Sequence, residues 1–405
     1  MSDTARWIPD TGHVFKKMLF PISRDQNPVS AHFLKALFLF TLIAPILSVS
    51  LNAHAFEYNI EGQFSGWTIE SDINNHWENG TGIRYIPDLD ISHELDNNSA
   101  IDSEVSLNMF SSVGSGPYID KTDIDLYRAD IRYTTTRTET RLGLQKINFG
   151  PAVILRVLKW FDQVNPTDPL QLTEGVYAIR FRYVAPDNSN LWAWILYGND
   201  GPKGYEIFPS ASGNIEAGGR IQSSLLFGDI GFTLHTRIVD GSDLNIPELR
   251  ENRYALDGRW DMGIGLWFES LLQEQKTNYI PLKWTKRISL GADYTFDIGS
   301  GLYLLTEHMV TTLSEKMMEW QDNYHFSAFQ MSYPLGIMDS ISAIGYYSWE
   351  KGKFSQYVSW MRTYDNLILN ISLFNYPDTS LNMNGRSQSV IMEGRGVQIM
   401  VIYNH

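Results

Sequence analysis

Residues 123–133 read Asp-Ile-Asp-Leu-Tyr-Arg-Ala-Asp-Ile-Arg-Tyr, and from Tyr127 onward apolar and charged side chains alternate. One face of such a strand would hold Tyr127, Ala129, Ile131 and Tyr133, and the other Arg128, Asp130 and Arg132. Successive side chains of a strand point to opposite faces, so one face suits an apolar medium and the other suits water. This pattern is typical of a strand that crosses a membrane in a β-barrel.

The same period-two alternation recurs along the chain after Phe56, in segments of roughly ten to fifteen residues. Clear examples are residues 176–183, 287–296, 367–373 and 397–403. A soluble β-sandwich or propeller could also alternate. However, outward rows of Tyr, Phe and Leu on so many strands would be left in water, and no repeat of propeller length is present. The sequence therefore predicts an all-β, transmembrane, antiparallel up-and-down barrel.

The connections between these segments alternate in length, as they do in outer-membrane barrels. Eight tight links are predicted near residues 96–98, 136–138, 187–190, 228–229, 261–263, 299–301, 334–339 and 364–366. Nine longer polar loops fall near residues 71–78, 112–121, 150–173, 199–213, 241–251, 275–285, 314–322, 350–354 and 377–387. These links join eighteen strands, with sixteen as the alternative count.

The N-terminal segment has the pattern of a secretory signal peptide. Lys35 precedes an apolar run from Ala36 to Leu51, and Ala53-His54-Ala55 forms a small-x-small cleavage site. A membrane anchor is the alternative, but Pro45 interrupts the run. We therefore expect residues 1–55 to be a cleaved signal peptide and residues 56–405 to be an outer-membrane barrel.

Composition excludes several classes of function. The net charge is −14, and removal of residues 1–55 takes away five basic and three acidic residues, which gives −16 for the mature chain. An acidic chain has no electrostatic footprint for nucleic acid. Without cysteine there can be no thiolate metal site or haem attachment. His235, His308 and His325 stand singly in the sequence, so we expect no catalytic residues, no metal site and no cofactor.

The third long loop, residues 150–173, differs from the others. Val153 to Phe161 is apolar apart from Arg156 and Lys159, which suggests a short helix, and Pro166 and Pro169 then shape the exit. An apolar, proline-bound loop would not remain in water, so we expect it to fold into the lumen, with packing over the rim as the alternative. The predicted constriction residues of this loop are Arg156, Lys159, Asp162 and Asp168.

The strands that flank this loop carry a row of arginines, which we call the arginine wall: Arg128, Arg132, Arg141, Arg180 and Arg182. By alternation all five point inward from strands four to six. A guanidinium is always charged and can hold a carboxylate or an oxyanion through two parallel donors, which favours an anion-binding pore lining. Asp162, Asp168 and Glu174 could face this wall. The alternative is that the arginines pair with Asp130 and Glu139 and only stabilise a wet lumen.

Two further stretches carry a family resemblance. Residues 142–151, of the form GxQxINxG, lead into Asn165-Pro-Thr-Asp-Pro169, which resembles Gram-negative porin-like barrels. Phe149-Gly-Pro-Ala, Lys159-Trp-Phe-Asp162, the run Asp168–Tyr177 and the run Leu191–Asp200 are similar, more narrowly, to the porin encoded in selenite/tellurite-reduction operons. The resemblance is most specific over about sixty residues.

The resemblance implies an outer-membrane channel that passively admits small anions, including oxyanions such as selenite or tellurite. It also implies periplasmic reductases or cytochromes as partners, beside outer-membrane lipid and lipopolysaccharide. One competing hypothesis is a barrel sheath around a multihaem cytochrome, which needs a wide lumen. The other is a barrel enzyme or adhesin, but no GxSxG or comparable motif is present.

Overall fold

The computed structural model describes residues 56–405, except for 97, 119, 163, 207, 226, 278, 280 and 378–391. The predicted signal peptide, residues 1–55, and most of the last long loop lie outside the described residues. Within the described part, no helix is long and apolar enough to cross a membrane.

Eighteen strands account for nearly all of the regular structure. They are β1 (Glu57–Ile73), β2 (His76–Asp96), β3 (Ser99–Gly114), β4 (Lys121–Thr135), β5 (Thr138–Gln145), β6 (Val176–Val184), β7 (Asn190–Leu196), β8 (Glu216–Leu225), β9 (Gly228–Val239), β10 (Leu249–Asp261), β11 (Gly265–Lys276), β12 (Trp284–Phe296), β13 (Leu302–Ser314), β14 (Asp322–Pro334), β15 (Asp339–Ser348), β16 (Lys353–Thr363), β17 (Leu367–Tyr376) and β18 (Gly394–Asn404). Among the described residues, one 3₁₀ turn, Ser242–Leu244, lies between β9 and β10.

Each strand pairs antiparallel with its neighbours in sequence, and β1 pairs with β18 to close the barrel. Closure leaves no strand edge unpaired along the shared length. The backbones of Gly62 and His405 exchange two hydrogen bonds of 2.9 and 3.0 Å, so the first part of β1 and the end of β18 lie at the same end of the barrel. The predicted barrel and its count of eighteen strands are confirmed. We call the end with the short connections the turn end and the other the loop end.

The inward and outward faces follow the predicted alternation. Outward side chains such as Ile179, Leu290 and Leu373 are 50 to 59% exposed, whereas the inward Ser289 and Ser372 are fully buried. The outward residues form an apolar belt, which is what a lipid environment requires. Arg180 is the register partner of the buried Trp194, which identifies the arginine face as the lumen face.

Two local predictions were wrong. The link near 71–78 is not a long loop: β1 and β2 are joined by Asn74 and Asn75 alone, both with positive φ (52° and 66°), as a two-residue hairpin turn of the I′ type requires. Tyr127 does not share the lipid face. It is the extra residue of a β-bulge between β3 and β4, where the register shifts, and its hydroxyl accepts a hydrogen bond from the backbone N–H of Thr173 (3.3 Å).

Candidate functional site

The third long loop joins β5 to β6 and occupies residues 146–175. The strands beneath it are short, with eight, nine and seven residues in β5, β6 and β7, so the wall is low where the loop enters. The loop reaches inward side chains on β11 and β13, which lie six and eight strands around the barrel from β5. It therefore crosses the lumen, as predicted, and does not pack over the rim.

Two buried carboxylates hold the loop at the far wall. Glu269 on β11 accepts hydrogen bonds from the backbone N–H groups of Ala152 (2.9 Å), Val157 (2.6 Å) and Leu158 (2.9 Å). Glu307 on β13 accepts from those of Val153 (2.7 Å), Ile154 (2.9 Å) and Leu155, and from the indole of Trp267 (3.0 Å). Both carboxylates are at most 1% exposed. Hydrogen bonds to a charged group contribute about 1.5–3 kcal/mol each, so this anchoring is strong.

These contacts explain why the predicted helix over Val153–Phe161 was wrong. Residues 151–162 contain bends and turns but no helix. Six consecutive or nearly consecutive N–H groups point at carboxylates, so they are not available to the carbonyls four residues earlier. Gly150 permits this approach: its φ is +95°, and a Cβ there would overlap Glu269 Oε1.

The loop fills the middle of the barrel with apolar side chains. Leu155, Val157, Leu158 and Phe161 are 0 to 1% exposed. They belong to one apolar cluster with inward residues on β1, β6, β7, β10, β11 and β13 to β18. Inward residues on opposite walls of so wide a barrel meet only through the loop. The loop therefore acts as an apolar plug at this level of the lumen.

The four predicted constriction residues are all buried within the loop or against its surroundings, at 0 to 6% exposure. Arg156 pairs with Asp162 (3.3 Å) and also donates to Asn148. Asp162 therefore faces a cation of its own loop and not the arginine wall. Asp168 Oδ1 caps a turn by accepting from the N–H of Leu170 (3.0 Å). Lys159 donates to the carbonyl of Val164 (2.8 Å).

The pKa of Lys159 is lowered to about 7, because burial penalises its charged form and Arg156 repels it. The role of the four residues as a constriction stays a prediction.

The arginine wall lies in the half of the barrel nearer the turn end. Arg132 pairs with Asp102 (3.1 Å), Arg141 with Asp130 (3.4 Å), and Arg180 with Glu139. Arg128 donates to the hydroxyl and carbonyl of Thr173 (2.6 and 3.0 Å), and Arg182 to the amide oxygen of Asn190 (2.9 Å). The five arginines share one wall, as the alternation predicted, but three are ion-paired.

Sequence reasoning missed a second inward loop. The connection between β7 and β8, residues 197–215, also folds into the barrel, and Lys203, Glu206 and Phe208 are about 5% exposed. Tyr205 N–H donates to the carbonyl of Lys159 (3.2 Å), so the two loops are docked together. Gly204 allows this contact, because a Cβ at its φ of +47° would overlap that carbonyl.

A buried charge network ties this second loop to the wall. Arg237 and Arg253 each contact both Glu206 and Glu251, at 2.6 to 3.0 Å. The sequence gives only a weak signal for this network, because its residues look like any other inward polar residues of their strands.

The histidines are not isolated in the fold. His235 contacts Glu216 (3.1 Å) and accepts from the indole of Trp194 (3.2 Å). His308 and His325 lie side by side on the outward face, with 3.4 Å between His308 Nε2 and His325 Nδ1. Within the described residues, no group of three His, Asp or Glu side chains is placed to hold a metal ion.

Comparison with known proteins places the fold. No protein-family model and no curated protein matches the sequence. Among solved structures, OccD3 (OpdP) of Pseudomonas aeruginosa superposes with a TM-score of 0.52 at 11% identity, over 87% of this chain and 93% of that one.

An anion-selective porin from Comamonas acidovorans gives a TM-score of 0.49 at 10% identity, over 87% and 100% of the two chains. The outer membrane channel DcaP of Acinetobacter baumannii gives 0.46 at 10% identity, over 87% and 99%. At such identities the likeness concerns the fold alone.

The fold defines the class of the protein. A closed antiparallel barrel of eighteen strands, with an apolar outer belt, short turns at one end and longer loops at the other, is an outer-membrane β-barrel. The outer membrane is therefore its location, and its structural neighbours are outer-membrane porins and channels.

Proposed function

We propose that the chain is a passive channel for small anions, without catalytic activity or cofactor. In this proposal the third loop narrows the lumen and the arginine wall favours negative solutes there. One observation carries it: Arg128 and Arg180 donate to the two stems of the third loop, at Thr173 and at the carbonyl of Lys146 (3.5 Å). These contacts support the proposal, because they put Arg128 and Arg180 next to the loop that would narrow the lumen, where charge has the greatest effect on ion preference.

A cation-permeable channel is the second candidate. Inward carboxylates cluster on β1 to β3 next to the wall, by their register with one another and with Asp130 of β4: Glu61, Asp88, Asp90, Asp102 and Glu104. Two of them lie level with the wall, since Asp102 is the register partner of Arg132 and Glu104 that of Asp130. Arg128 and Arg180 contact the stems of the third loop directly, and charges at the narrowed level have the greatest effect on ion preference, so we give these two arginines the greater weight.

Oxyanions such as selenite or tellurite are the proposed solutes, on the strength of the sequence resemblance. Periplasmic reductases or cytochromes would then be the consumers of the solute. A sheath around a multihaem cytochrome is disfavoured, because the apolar plug occupies the space that such a partner would need. A barrel adhesin would present long outer loops to the surroundings, whereas the two largest loops here are folded inward.

The reversal potential of the purified protein in a planar bilayer, under a potassium chloride gradient, tests the proposal. We expect a preference for chloride over potassium. A preference for potassium would contradict the anion channel and support the carboxylate-lined alternative.

A further inference from the structure

A cavity of about 40 Å³ lies between the third long loop, the second inward loop (residues 197–215, the fourth long loop, called the fourth loop below) and the wall formed by β9 to β13, towards the loop end. A single water needs roughly 10–15 Å³ of such accessible space, so the cavity has room for about three waters or one small polyatomic ion. Its lining includes Lys159 and Trp160 of the third loop, Tyr205 of the fourth loop, and Arg287 of β12.

The charges around this cavity do not balance. It is lined by four cations, Lys159, Arg237, Arg253 and Arg287, and by two carboxylates, Glu206 and Glu251. Both carboxylates are already shared by Arg237 and Arg253, and Glu251 also accepts from Gln273 and Gln275 (2.9 and 3.0 Å). Among the described residues, neither Lys159 nor Arg287 forms an ion pair with a carboxylate within 4 Å, although Asp162 and Glu174 lie near enough to Lys159, and Glu251 near enough to Arg287, to act on their charges.

The two remaining cations converge on one aromatic ring. Arg287 Cζ lies 5.2 Å and Lys159 Nζ 5.5 Å from the centre of the Tyr205 ring. Burial in a largely enclosed space penalises the charged form of both side chains, and an anion bound between them would offset that penalty. Burial lowers the pKa of Lys159 to about 7 and raises that of Tyr205 to about 12, so a bound anion would favour the charged form of Lys159.

The cavity also offers donors that the protein leaves unused. The indole N–H of Trp160 is buried and has no acceptor among the described residues. The guanidinium of Arg287 lies over the Tyr205 ring and makes no hydrogen bond to another described residue. Buried donors in proteins nearly always have an acceptor, so the unpaired N–H of Trp160 beside a polar cavity favours an acceptor from outside the chain.

We propose that this cavity is a binding site for one small oxyanion, held by Arg287 and Lys159. Arg287 supplies the paired donors that suit an oxyanion, and Lys159 supplies a second charge. The proposal rests on the proposed anion channel in one respect: the site lies at the loop end and would receive the solute before it reaches the arginine wall. The proposed site is distinct from the arginine wall, since Arg287 lies on β12, remote from β4 to β6.

Isothermal titration of sodium sulfate into the purified barrel, in detergent and chloride-free buffer, tests the site. We expect saturable binding of one sulfate, weakened at least tenfold by Arg287→Gln and restored in part by Arg287→Lys. The matched control is Lys276→Gln, since Lys276 lies outside the lumen at the same end of the barrel with 55% of its side chain exposed. This control should bind sulfate as the wild type does.

Absence of saturable binding to the wild type would overturn the proposal. So would unchanged binding to Arg287→Gln in a protein that keeps the heat-modifiable migration of a folded barrel. The sulfate-binding result and the ion preference of the channel test the two proposals independently. A potassium-selective pore with Arg287-dependent sulfate binding would refute the anion channel alone, and a chloride-selective pore without such binding would refute the site alone.

Discussion

Glu269 on β11 and Glu307 on β13 divide the backbone N–H groups of the third loop between them, three to each carboxylate. The loop is thus fixed to the far wall through its backbone, whatever its side chains are. Its apolar side chains then occupy the lumen. Two residues of the barrel wall therefore hold the loop in place, and the apolar side chains of the loop fill the lumen.

Glu307→Gln should loosen the third loop while the barrel remains folded. The amide keeps the shape but loses the charge, and its NH₂ group would face backbone N–H donors, at a cost of about 1–3 kcal/mol for each unpaired group. We expect larger and noisier single-channel conductance and faster proteolysis within the loop. Glu274→Gln is the control, because Glu274 lies outside the lumen on β11. Equal conductance in both variants would show that Glu307 does not hold the plug.

Gly150→Ala should weaken docking of the loop by about 1–3 kcal/mol, because the positive φ is strained for alanine. Its methyl group would also collide with Glu269. Urea unfolding in lipid vesicles measures the change. Gly66→Ala is the control: Gly66 lies on the outer face of β1, and a Cβ there meets no atom within 4 Å. If the two variants are equally stable, the close approach of Gly150 to Glu269 is not needed for docking of the loop.

Deletion of residues 153–168 should leave a folded barrel and raise the single-channel conductance. The strands close through backbone pairing that does not involve the loop, whereas the lumen would lose its apolar filling. Single-channel recording and heat-modifiable migration report the two properties separately. An unchanged conductance would place the conducting path away from this loop.

Replacement of Arg180 and Arg182 together by Ser should abolish the anion preference in reversal-potential measurements. The change removes two cations and also frees Glu139, which Arg180 neutralises. The matched control is Arg395→Ser, since Arg395 lies on the outer face of β18 with 70% of its side chain exposed. If the anion preference survives the double substitution, other residues determine the selectivity.

The mature chain is expected to begin at Phe56 and to be recovered in the outer-membrane fraction. The cleavage site follows from Ala53-His54-Ala55, ahead of the first strand. N-terminal sequencing of the protein extracted from outer membranes checks this prediction. An N-terminus upstream of Ala55 would favour the membrane-anchor alternative.

The sequence alone determined the barrel. Side-chain alternation is local, and so it predicted the faces of β6, β12 and β17 and the eighteen-strand count without knowledge of any distant contact. It also predicted that the apolar loop would enter the lumen. A signal for its anchors was present as well, because Glu269 and Glu307 are single inward carboxylates between inward apolar residues, Trp267 and Leu271 in one case and Leu305 and Met309 in the other.

Only the tertiary structure decided what the loops touch and which charges remain unpaired. Closure of the barrel brings β11 and β13 opposite the loop, so backbone donors that would otherwise form a helix turn to carboxylates more than a hundred residues away. Pairing of β5 with β6 brings Arg180 next to Glu139, whereas Arg287 faces a cavity between two loops. Local alternation states which face a residue occupies, whereas its partner depends on strands and loops that meet only in the folded barrel.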